Sequence, residues 1–188
     1  MEVMAVAFKE WALVCDALGK GEQSVILRKG GIAEGRAGFT FEHQDFYLFP
    51  TWFHGQLDKI RGDGFALPAQ VPETVTIAHA VTVEWSGWVA DKEAVLRLQE
   101  LHVLEPSVIE ERFVYSPSKE EQQGIHVAFV RIYRLEPAIS LPMETFFGGC
   151  RSWVEIPEID PGALVSVLSD EDHRRRRELF SQLLGVSF

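Results

Sequence analysis

The sequence predicts an α+β fold, a bent mixed sheet or small β-barrel flanked by an N-terminal and a C-terminal helix. Two observations carry that reading. Runs rich in β-branched and aromatic residues come in pairs and threes, separated by stretches with helical spacing. Regular strand-helix-strand alternation, the mark of a doubly wound sheet, is missing. With 188 residues, of which 46% are hydrophobic and 24% charged, the chain is long enough for one domain with a substantial core. One domain over residues 1–188 is expected, with a helical extension from about residue 160.

From Ala7 to Leu18 the residues Phe8, Trp11, Ala12, Cys15 and Leu18 recur at helical spacing and Gly19 supplies a stop, so an opening helix is expected. Lys20 to Glu22 reads as a turn and Ser24 to Lys29 as a short strand ending at Gly30-Gly31. Gly38 to Phe41 and Phe46 to Phe49 cluster aromatics as strands do, and Thr51 to Ile60 reads as a helix capped by Thr51 after Pro50. Asp63 to Glu73 carries two glycines and two prolines and is a loop. Val75 to Val89 is a long strand, and Asp91 caps a helical stripe of Ala94, Val95, Leu98 and Leu101. Glu110 to Tyr115 fits neither period, and Ser116 to Gly124 is a polar loop. Ile125 to Leu135 reads as a buried strand in which Arg131 needs a partner, Ser152 to Ile156 as a short strand, and Asp170 to Leu184 as the closing helix.

The net charge of −10 argues against a protein that coats nucleic acid nonspecifically, since that affinity comes from Lys and Arg neutralising phosphates. Most of the excess negative charge lies in residues 63–125; the two outer thirds are nearly balanced and can present Arg28, Lys29 and Arg36, or Arg131, Arg134 and Arg151, as a local basic surface. Scattered solvated cations fit the same residues. No apolar run approaches a membrane span, and charged residues interrupt Met1 to Leu18, so a cytoplasmic protein with no membrane partner is expected. Cys15 and Cys150 are read as reduced thiols.

Three clusters can carry chemistry. In Leu27-Arg28-Lys29-Gly30-Gly31-Ile32 two cations meet two glycines whose backbone can approach an anion closely, although a plain β-turn suits the same residues. Glu42-His43 followed by Phe49-Pro50-Thr51-Trp52-Phe53-His54 combines a carboxylate, two imidazoles and an aromatic run, which suits either a core or a pocket that stacks a planar base and reads its edge. Gly148-Gly149-Cys150-Arg151-Ser152-Trp153 puts a thiol beside an arginine, or simply makes a tight turn. Dinucleotide, P-loop, zinc-ligand and serine-nucleophile signatures are absent, so no cofactor or metal is expected and no catalytic residue is assigned. The four arginines Arg174 to Arg177, flanked by acids, read as a solvated helix face.

Several of these motifs also occur together in one family. Phe8-Lys9-Glu10-Trp11, Cys15-Asp16-Ala17-Leu18 with Gly21 and Gln23, Leu27 to Ile32, Glu42-His43, Leu48-Phe49-Pro50-Thr51 and Gly149 to Trp153 resemble, in that order and over about residues 7 to 156, the bacterial family catalogued as domain of unknown function 1802. That resemblance implies an association with restriction-type nuclease domains, hence with restriction and modification of DNA and a separate nuclease partner. The opening helix, the Gly21 to Gln23 turn and the strand ending in Arg28 are similar to the barrel of the PUA and ASCH superfamily, which implies RNA or modified-base binding. The expected function is a noncatalytic module that recognises nucleic acid or a nucleotide through Arg28, Lys29, Gly30, Gly31, Glu42, His43, Trp52, His54 and Arg151. Its rivals are a metal-assisted phosphodiesterase or nuclease built on Glu42, His43 and His54, and an acidic protein-interaction module.

Overall fold

A computed structural model describes residues 4–29, 39–62, 64–114, 123–149 and 151–188. Its centre is a mixed sheet that does not close, so the bent sheet of the two predicted alternatives is the one formed. The strands are β1 (Met4–Trp11), β2 (Val25–Arg28), β3 (Asp45–Thr51), β4 (Thr74–Val89), β5 (Ile125–Pro142), β6 (Trp153–Pro157) and β7 (Ala163–Ser166). They lie in the order β2-β5-β4-β3-β1-β6, and β7 shares an edge of β5 with β2. All pairs are antiparallel except β1 with β3.

The long β4 and β5 are the frame. Along β4 Val75 and Ile77 are buried in one core cluster and Val81 and Val83 in the other, with a register shift between Ile77 and His79 separating the two pairs and a second between Val83 and Trp85. One face carries the main core, with Phe8, Leu48, Val81, Phe129 and Val130 beneath α1 (Ala12–Gly19), α2 (Lys92–Leu96), α3 (Pro106–Val114) and α4 (Asp170–Leu184). The opposite face holds a smaller cluster built on Phe49, Ile77, Leu135, Phe147 and Ile156.

Helix ends follow local chemistry. Asp91 accepts a hydrogen bond from the Ala94 N–H and starts α2, which tightens into a 3₁₀ turn over Arg97–Leu101. Ser169 caps α4 by accepting from the Asp172 N–H, three acids occupy the first turn, and Gly185 closes it in the left-handed region. The arginine run on α4 divides: Arg174 and Arg175 pair along the surface with Glu178 and Glu171, while Arg176 is half-buried and donates to Ser24 Oγ. Arg131 has the partners its position required, Ser166 Oγ and Asp170.

The opening segment differs from the expectation. Residues 7–11 belong to β1, and the helix starts at Ala12. Ala7, Phe8, Lys9 and Glu10 are all buried because β1 is flanked by β3 and β6 and covered on both faces, so no alternation shows and the three-to-four spacing from Phe8 to Leu18 imitates a helix. Phe39 to Phe41 forms no strand, Gly38 lying outside the described residues; the Thr51 to Ile60 helix reduces to a 3₁₀ turn over His54–Lys59 entered from Phe53 without a side-chain cap. Of the ambiguous Glu110 to Tyr115 stretch, Glu110 to Val114 end α3 and Tyr115 lies outside the described residues; β7 had no sequence expectation. Most of the Ser116 to Gly124 loop lies outside the described residues.

Candidate functional site

A cavity of about 660 Å³ opens beside the N-terminal end of β6, among Lys9, Glu42, His43, Arg151, Ser152 and Trp153. Trp153 organises it. Its ring meets Phe8 and Phe46 at centroid distances of 5.0 Å on the core side, and His43 at 4.8 Å in an edge-to-face contact on the cavity side. The Trp153 Nε1–H donates to the Thr40 carbonyl at 3.4 Å, and Phe39 packs on Phe8 and Phe41, so the irregular segment carrying Glu42 and His43 is pinned to the sheet by aromatic contacts.

A buried lysine and a half-buried arginine shape the other wall. Lys9 Nζ donates to the carbonyls of Gly148 and Gly149 at 3.0 and 3.3 Å, holding the turn that precedes Arg151. Arg28 donates from Nε and Nη2 to Ser152 Oγ at 3.0 and 2.8 Å, with its guanidinium over the Phe8 ring. Arg151 is exposed. The arrangement offers aromatic surface, a carboxylate and an exposed guanidinium in one recess, which suits a planar ligand carrying both hydrogen-bonding edges and negative charge.

The predicted site residues are thus only partly gathered. Glu42, His43 and Arg151 line the cavity and Arg28 braces its wall. Lys29 is buried elsewhere: its Nζ donates to the Gly124 carbonyl at 3.0 Å and sits over the Trp88 ring. Trp52 and His54 line a separate apolar cavity of about 60 Å³ with Leu67 and Val71. The physical reason is β3, a seven-residue strand between Glu42-His43 and Trp52-His54 that carries the two ends about 20 Å apart. The trio Glu42, His43 and His54 does not share one cavity, and among the described residues no three His, Cys, Asp or Glu side chains gather as a metal-holding group. Gly30 and Gly31 lie outside the described residues, as does Cys150, while Cys15 is a free thiol whose pKa is raised by burial and by Glu10 and Asp16.

Three contributors went unassigned from sequence: Lys9, Ser152 and Trp153. Lysine is almost always at the surface, and what marks Lys9 is its place in a strand with buried neighbours on both sides. Trp153, just after a Gly-Gly turn, was a visible signal of a packed recess.

The architecture is therefore an open mixed sheet with helices over one face and a recess at its β6 edge. The chain belongs to the family described as domain of unknown function (DUF1802), whose model matches residues 7–178. The match runs past the last of the sequence motifs and into α4. No curated protein and no solved structure matches the chain. No helix is long and apolar enough to cross a membrane among the described residues.

Proposed function

We propose that the protein recognises a nucleotide, or a single nucleotide feature of a nucleic acid, in the cavity beside β6, without chemistry of its own. The observation that supports this is the meeting of Trp153, His43, Glu42 and Arg151 in one recess of about 660 Å³. The aromatic rings give a base a stacking surface, Glu42 and His43 supply acceptor and donor groups for its edge, and Arg151 supplies a bidentate phosphate contact. Lys9 and Arg28 act through the backbone and Ser152, fixing the wall rather than touching the ligand. The net charge of −10 favours one nucleotide over a long phosphate track. A role beside a nuclease in restriction and modification of DNA fits this reading and comes from the family resemblance; a cytoplasmic location fits it too and comes from the lack of an apolar run in the sequence.

Fluorescence anisotropy of labelled nucleotides and of single-stranded and duplex oligonucleotides, with modified and unmodified bases, tests it at several salt concentrations. Trp153→Ala should weaken binding on the order of tenfold, as the loss of one stacked base does. Arg151→Ala should lower the salt slope by about one, as the loss of one phosphate contact does. Circular dichroism checks that both variants fold. Absence of binding above an albumin control would reject the reading and put the acidic interaction module in its place, to be sought by pull-down with and without nuclease treatment.

A further inference from the structure

We propose that a second cavity, on the strands β3, β4 and β5, binds a small alkylammonium cation between Tyr47 and Tyr133. The strand register builds the slot. Tyr47 pairs with Ala80, and Ala80 pairs with Tyr133, so the two half-buried tyrosines stand on one face with only a methyl group between them. Two strand spacings put their Cα atoms about 9.5 Å apart, and a cation held midway lies within the ~6 Å of each ring over which cation–π attraction acts. The next row along the same face is Asp45 opposite Thr82, joined by a 2.6 Å hydrogen bond from the threonine hydroxyl to Asp45 Oδ1. This carboxylate and Leu164 complete a cavity of about 350 Å³.

Charge selects the occupant. Neither Lys, Arg nor His lines the cavity among the described residues, whereas Asp45 does, and Asp160 and Glu158 are close enough to Tyr47 to help burial raise the pKa of its phenol. Arg131 stands opposite Thr82 in that same row, its guanidinium 5.7 Å from the Tyr133 ring; it does not line the cavity, and its charge is met by Asp170. An anion or a phosphodiester is disfavoured in such a place. An alkylammonium gains from both rings and from the carboxylate, and the volume fits a group the size of choline. Val6 lines both this cavity and the larger one at β6, so the two recesses are neighbours.

Titration of the full chain with choline, and with its uncharged isostere 3,3-dimethylbutanol, separates cation recognition from apolar filling. Amide chemical shifts should move at Tyr47, Ala80 and Tyr133 with choline, and the neutral compound should bind at least tenfold more weakly. Tyr133→Leu should weaken choline on the order of tenfold, Tyr133→Phe should keep it within about threefold, and Asp45→Asn should weaken it. If Tyr133→Leu fails to fold, Tyr133→Phe and Asp45→Asn with the isostere comparison carry the test. Equal binding of the two compounds, shifts confined to other strands, or no saturable shift with choline would overturn the proposal, and none of these outcomes depends on nucleotide binding at β6.

Discussion

His102 shows how one buried side chain writes a pH dependence into the fold. It is 4% exposed, its Nδ1 accepts from the Leu104 N–H at 3.1 Å, and its Nε2 has no hydrogen-bond partner among the described residues. Accepting at Nδ1 requires the neutral ring, and burial, with Arg61 and Arg112 adding repulsion, pushes its pKa down to about 3. The unfolded chain takes up this proton near pH 6.5 and the folded chain refuses it until about pH 3. The contribution is therefore intact above pH 6.5 and is lost as pH falls through that window, at up to about 1.4 kcal/mol per pH unit. His102→Asn places an amide oxygen where Nδ1 accepts and removes the titration. Urea unfolding of the two proteins from pH 7 to pH 4 should show the variant gaining on the wild type as pH falls; parallel curves would reject this account.

At the scale of elements, the half-buried Arg112 links α3 to β2. Arg112 donates to the Leu27 carbonyl and stacks over the Trp11 ring at 4.9 Å. Burial, with Arg28 nearby and Glu10 opposing, lowers its pKa to about 10, which leaves it charged at neutral pH. Arg112→Ala should cost about 1–3 kcal/mol in chemical denaturation, the penalty of an orphaned buried carbonyl, and Arg112→Lys should not restore it because an ammonium lacks the planar face. Full rescue by lysine would show that charge alone matters. The same pair of elements marks what sequence can and cannot disclose. β4 and α4 were legible because burial along them is written largely as a period of 2 or 3.6, and the first part of β5, Ile125 to Leu135, was legible as a β-branched and aromatic run although Val127 to Val130 are all buried. β1 was not, since both its faces are covered, and neither was α3, where the half-buried Arg112 interrupts the apolar stripe of Val108, Ile109 and Phe113. In the site, Glu42, His43 and Arg151 stood out as local chemistry. Their separation from Trp52 and His54 depends on the direction of β3, and the anchoring of Gly148 and Gly149 by Lys9 depends on contacts across nearly the whole chain, which local pattern does not encode.

For the whole molecule, the decisive question is whether the C-terminal helix is an appendage or part of the same cooperative unit. α4 lies on the main core: Phe180 is fully buried, with its ring 5.1 Å from Phe129 and 5.3 Å from Trp85. Polar contacts fasten the same helix, since the buried His173 meets Glu84 at 2.9 Å and Arg176 reaches Ser24. The second oxygen of Glu84 is buried without a hydrogen bond among the described residues, and Arg177 stands 3.9 Å away. These contacts tie α4 to β4, to β5 and to the start of β2, elements far from it in sequence, and the family match enters it as well. A helix docked in this way should unfold with the sheet, and the described core should melt as one domain. Guanidinium denaturation followed by tryptophan fluorescence and by far-ultraviolet circular dichroism should give coincident single transitions. Phe180→Ala should move both by about 3–5 kcal/mol, because the cavity it leaves lies against the fully buried Phe129 of β5. If the variant instead loses only an early helical phase while the fluorescence transition stays in place, α4 is an independent unit and the recess at β6 stands on a smaller fold.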